Sequence, residues 1–185
     1  MFEQLGDKIR RVNAGLDNLP NYPQRFGPIR SGDSLDELRS LVVSLELQNC
    51  VSFTGFIPDE EMVRCLSTVD ICLDPNPSSP LNDVSTWIKV MEYMALGKPV
   101  VSFDLKETRF SAADAAVYAT PNRESEFAEA IARLMDDSAA RARMADVGRA
   151  RIQSQLGWHV TSRNLLAAYD ILLDPAATSK AAVAM

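Results

Sequence analysis

From residue 31 onward, apolar runs of strand length alternate with segments of helical period, and no two of those runs are joined by a two-residue hairpin turn. Antiparallel strands can be linked that tightly, whereas parallel strands need a crossover, usually a helix. The pattern predicts an α/β fold with a parallel sheet. Its strand candidates are "VSFTGF" (51–56), "DICLDP" (70–75), "PVVSFDL" (99–105) and "AAVYA" (115–119). The intervening helices include "SLDELRSLVVSLEL", with possible caps at Ser31 and Asp33, then "PDEEMVRCLSTV" opening on Pro58, and one beginning near Ser85. Residues 123–135, an Arg-rich stretch at 138–155 and residues 158–173 extend the helical pattern. Residues 1–28 fit worst, with Pro20, Pro23, Pro28, Gly15 and Gly27 and no apolar run of strand length, and 175–185 reads as a frayed tail.

A chain of 185 residues is long enough for one sizeable core. Its 46% apolar and 24% charged residues are those of an ordinary globular protein. A net charge of −6 argues against a general nucleic-acid binder, which needs a Lys/Arg excess on some face. Cys50, Cys65 and Cys72 lack C-x-x-C spacing and sit in apolar segments, which favours buried thiols over a disulfide framework or zinc site. His159 is the single histidine, so a multi-His metal site is excluded, and its place after Trp158 favours packing or capping over catalysis. No metal is expected. No apolar run approaches the ~18 residues of a membrane span, and "MFEQLGDKIRR" lacks a signal-peptide core, so a cytoplasmic location is expected.

Ligands of open parallel sheets bind outside the C-terminal ends of the strands. The loops predicted there are "TGFIPD", "DPNPSSPLNDVST", "FDLKETRFS" and "YATPNRES", of which the second is long for a strand-to-helix joint. Asp83, Ser85 and Thr86 offer N-cap oxygens, and the amides of residues 85–88 would be open in the first turn, a ready anion site. The same residues could equally serve only as caps. Glu92 could accept the vicinal hydroxyls of a ribose, or pair with Lys89 or Lys98; Lys89 could hold a phosphate or be solvated. Gly97 in "GKP" reads as a helix C-cap.

In order along the chain, "VSFTGFIPDEEM", "LSTVDICLDPNPSSPLNDVSTWIKVMEYMALGKPVV" and "SFDL" resemble the C-terminal half of GT-B glycosyltransferases of family 4, also called group 1. "MEYMALGKPVV" matches the second half of the family's Glu-x7-Glu hallmark, and Glu92 takes its second Glu, the ribose contact. The first Glu falls on Val84, a departure seen in what looks like a subgroup of bacterial polysaccharide glycosyltransferases with a polar loop there. The resemblance implies that Asn82, Asp83, Ser85 and Thr86 face the donor sugar and diphosphate, and that Gly55, Phe56 and Ile57 line the base. "KETRFS" replaces the family's Gly-Gly turn, which adds Glu107 and Arg109 as candidates.

The implied fold is a Rossmann-like parallel sheet flanked by helices over residues 29–174, with a helical C-terminal region. The implied activity is retaining, metal-independent transfer of a glycosyl group from a UDP- or GDP-linked donor to a polysaccharide or lipid-linked acceptor, with no further cofactor. No catalytic residue is assignable. The family's diphosphate-binding Arg and Lys and its acceptor domain precede the matched region, so a truncated or split enzyme is expected, completed by a separate acceptor-binding domain or subunit. Peripheral contact with the inner face of the plasma membrane is possible for the intact enzyme. The alternative is a noncatalytic nucleotide-sugar-binding module.

Overall fold

The structure is a computed structural model describing residues 35–173. The caps expected at Ser31 and Asp33, the Pro-rich segment 1–28 and the tail 175–185 lie outside the described residues. Two helices come first, α1 (Leu35–Ser44) and α2 (Asp59–Thr68). Strand β1 (Cys72–Asp74) leads through a long loop to α3 (Ile88–Ala95), then β2 (Val100–Phe103), α4 (Lys106–Ala112) and β3 (Ala116–Ala119). Helices α5 (Glu124–Asp136), α6 (Ser138–Arg151) and α7 (Trp158–Leu173) complete the described chain.

The sheet has three strands in the order β1-β2-β3, with both pairs parallel. The absence of hairpin joints in the sequence is thus realised as crossovers through α3 and α4. Alternation along β2 divides the core between two faces. Val101 and Phe103 pack with Phe127, Ile131 and Leu134 of α5. Val100 packs with Val90 and Met94 of α3 and with Ala112, Ala115 and Ala116.

"VSFTGF" is not a strand, contrary to expectation: Val51 forms an isolated bridge and the following residues are irregular. Its alternating apolar positions are used instead against α1, where Val51 joins Val42 and Leu47 with Phe53 packed alongside. Among the described residues a small helix-loop cluster takes up that pattern.

The Arg-rich stretch finds its use at helix ends. Arg141 donates to the carbonyls of Leu134 (2.8 Å) and Met135 (2.6 Å) at the end of α5, and Arg151 donates to those of Phe110 (2.7 Å) and Ser111 (3.0 Å) in α4. Terminal helix carbonyls have no intrahelical donor, so α6 supplies cations where they are needed.

Gly97 closes α3 with paired bonds, its own N–H to Met94 O (2.9 Å) and Lys98 N–H to Tyr93 O (2.9 Å). Its φ of +65° is left-handed, and an added Cβ would meet the Arg149 guanidinium. Gly97→Ala is expected to lower stability by about 1 kcal/mol, read as a shifted urea midpoint. An unchanged midpoint would show that the turn relaxes at no cost.

Burial pushes the Cys72 thiol up to about 12, with Lys98 pulling weakly the other way. Burial likewise pushes Tyr118 up to about 12, against the pull of Arg109. Both pKa values are raised on folding, so the unfolded chain releases these protons first as pH rises. Their contribution to stability is full below about pH 8.5 and drains away as pH climbs toward about 12. Urea midpoints should fall over this window, and Cys72→Ala should flatten its lower part; a profile unaltered by Cys72→Ala would exclude the thiol as a source.

Candidate functional site

Beyond the C-terminal end of β1 the chain enters the long polar loop, and the structure moves the helix start anticipated there. A short 3-10 turn occupies Asn82–Val84, Ser85 is extended (φ −96°, ψ 124°), and α3 begins at Ile88 after Trp87. Of the amides of residues 85–88, only that of Ile88 therefore belongs to a helical first turn. Asp83, Ser85 and Thr86 are not its caps either.

Their side chains are bonded elsewhere. Asp83 accepts from the Ser78 hydroxyl at 3.0 and 3.1 Å, Ser85 donates to Leu81 O at 2.6 Å, and Asn82 donates through Nδ2 to Pro77 O at 2.8 Å. Asn122, between β3 and α5, accepts from the Ser78 N–H at 2.8 Å and so ties the loop to a second rim segment. Small polar side chains that bind nearby backbone compete with helix formation, and here they win.

"KETRFS" is likewise a correction: these residues lie within α4 rather than in a loop. The helix buries Thr108, Ser111 and Ala112, half-buries Glu107 and leaves Arg109 exposed. Glu107 accepts from the Thr86 hydroxyl at 3.1 Å, which joins two sequence candidates directly. Arg109 pairs with Asp104 through both Nε and Nη2 and stacks over the Tyr118 ring at 4.2 Å. Its charge is committed within the rim.

Lys89 is the cation the loop delivers to the edge of the sheet. Its Nζ lies 2.8 Å from Asp74 Oδ1 and 5.3 Å from the centre of the Trp87 ring. Glu92, one turn further along α3, is exposed, and its carboxylate has neither an ion pair nor a hydrogen bond among the described residues. The pairings considered for it are absent there, because Lys89 is held by Asp74 and Lys98 donates to Ser67 O at 2.8 Å.

Gly55, Phe56 and Ile57 precede α2 with Gly55 at φ +62° and Phe56 81% exposed. Ile57 is buried. His159 is exposed on α7 with Nε2 2.8 Å from Gln153 O. No cluster of three or more metal-ligating side chains occurs among the described residues.

Asp74 is the residue that reading the sequence missed. It is fully buried at the last position of β1, in register with Ser102 of β2 on the face that carries α3. The available signal was its parity: Cys72 and Asp74 share one side of the strand, and an acidic residue on an inward side calls for a partner.

This geometry, a parallel sheet with polar loops and short helices crowding its C-terminal edge, is shared with known proteins. Residues 25–137 match the family model described as "Glycosyl transferases group 1". The chain belongs to that glycosyltransferase family. Among curated relatives of this glycosyltransferase domain is the amylovoran biosynthesis glycosyltransferase AmsK of Erwinia amylovora, 38% identical over 72 residues that cover 38% of this chain and 18% of that protein. Solved structures with the same fold include sucrose-phosphate synthase from Thermosynechococcus elongatus, with a TM-score of 0.70, 21% identity and coverage of 89% of this chain and 42% of that one. Another is Anabaena Alr3699/HepE in complex with UDP and glucose, with a TM-score of 0.57, 22% identity and coverage of 79% and 38%. The fold is that of a GT-B glycosyltransferase half, and the chain spans less than half the length of each of these proteins. No described helix is long and apolar enough to cross a membrane.

Proposed function

We propose that this glycosyltransferase domain binds the nucleotide-sugar donor at the C-terminal edge of its sheet, between the long loop and the starts of α3 and α4. The observation that carries this reading is Glu92. It is a carboxylate left exposed and unpaired among the described residues, in the segment that resembles the family's ribose-contacting hallmark. Lys89 and the backbone amides at the start of α3 supply positive potential for the diphosphate. The UDP held by the similar Anabaena protein supports a UDP-linked donor here, with GDP as the alternative.

In the complete enzyme the same edge would stabilise the charge that develops on the leaving diphosphate during transfer to a polysaccharide or lipid-linked acceptor, with retention and without a metal. The acceptor would be held by another domain or subunit, and a lipid-linked acceptor would bring the assembly to the inner face of the plasma membrane. A noncatalytic donor-binding subunit is the second reading. It is favoured by α7, where Leu166, Tyr169, Ile171 and Leu172 are exposed and no residue is buried, as on a face that docks against another body.

Calorimetric titration with UDP, GDP and ADP tests the proposal. UDP or GDP is expected to bind, and Glu92→Ala to weaken binding roughly tenfold through loss of charge-assisted bonds to the ribose. Equal affinity in the variant would remove Glu92 from the site, and no binding of any nucleotide by the wild type would end the donor-site reading.

A further inference from the structure

Asp74 presents a carboxylate with no exposure at the point where β1 hands the chain to the ligand edge. An ionised group there is costly unless its charge and lone pairs are all met, and an apolar side chain would cover the same face of β2 without that penalty. Here four partners meet it. Lys89 Nζ lies 2.8 Å and Asn76 Nδ2 2.5 Å from Oδ1, while Oδ2 faces the Thr108 hydroxyl at 3.5 Å and the Ser102 hydroxyl at 3.2 Å, whose one proton is shared with Phe103 O at 2.9 Å.

The partners come from four separate segments: α3, the long loop, β2 and α4. One carboxylate is therefore common to every element that borders this part of the edge. Lys89 remains 35% exposed while paired. An ammonium has three donors, so it can meet an incoming anion without leaving Asp74.

We infer that Asp74 is a positioning residue, which registers the long loop, α3 and α4 against the sheet and holds the Lys89 ammonium where the donor diphosphate arrives. The role of Lys89 toward a diphosphate rests on the donor-binding reading; the registration of the segments does not. Asp74→Asn keeps the shape and an acceptor for Ser102 and Thr108 but removes the charge that fixes Lys89.

Two measurements on the full chain test this. In amide hydrogen exchange without ligand, Asp74→Asn should speed exchange at residues 75–89 and 106–109 by roughly tenfold while α5 and α6 keep their protection. Unchanged rates at 75–89 and 106–109, or equal acceleration throughout α5 and α6, overturn the registration. Asn76→Ala, which leaves the ion pair intact, should loosen the long loop alone; the same loosening at 106–109 would overturn separate anchoring of the segments.

In the second measurement UDP and uridine are titrated against the wild type, Asp74→Asn, Lys89→Met and the double variant. The preference for UDP over uridine should fall roughly tenfold in each single variant, with no further loss in the double. A preserved preference in Asp74→Asn, or additive losses, overturns the positioning of Lys89. Failure of the wild type to bind any nucleotide defeats the donor reading instead, and the exchange experiment still decides whether Asp74 registers the edge.

Discussion

Lys89→Met is expected to lower stability by about 3 kcal/mol, because it strands a fully buried carboxylate without its counter-charge. The methionine fills similar volume, so lost packing is a minor part of the effect. Asp74 keeps its bonds from Asn76 and Thr108 and its share of the Ser102 hydroxyl, but these satisfy lone pairs rather than neutralise charge. Combining Lys89→Met with Asp74→Asn should restore part of the loss, since neither member is then a lone charge. Urea unfolding of the four proteins measures this, and a Lys89→Met loss below about 1 kcal/mol would mean that water already reaches Asp74.

Phe127→Ala should cost still more, about 4 kcal/mol. Phe127 is fully buried, and its ring centre lies 4.9 Å from that of Phe103 in a tilted pair joining α5 to the central strand. Removing the ring deletes that contact and opens a cavity among Val101, Ile131 and Leu134. For a chain of this size the melting temperature should fall by roughly 10 °C. A fall of only a few degrees would mean that α5 collapses onto the sheet to fill the space.

The parallel sheet was legible because it rests on two strong signals, apolar period and the absence of hairpin turns. Gly97 was legible because a left-handed helix exit selects for glycine. The helix start near Ser85 was misread because Ser85 and Thr86 look the same whether they cap a helix or bind Leu81 O and Glu107. "VSFTGF" alternates as a strand does, yet among the described residues Val51 and Phe53 pack with α1 and Leu47. Helix α4 was hidden by brevity, since Lys106–Ala112 is too short for periodicity to separate from a loop. In the site, family resemblance led to Glu92, while Asp74 required a three-dimensional view, because its partners Lys89, Ser102 and Thr108 lie 15 to 34 positions away.

The crossover pairing described above also shapes how the chain folds. Cys72 meets Val100 across an intervening loop and helix, so β1 and β2 cannot associate as a fast local event and the sheet must form together with α3. The entropy of closing such a connection grows only with the logarithm of its length. Adding three residues to the stretch between β1 and β2 would cost only about 0.1 kcal/mol. The polar loop can therefore lengthen or shorten with little penalty to assembly, provided that Asp74 and Asn76 still anchor its base, and variation in length can accumulate where folding resists it least.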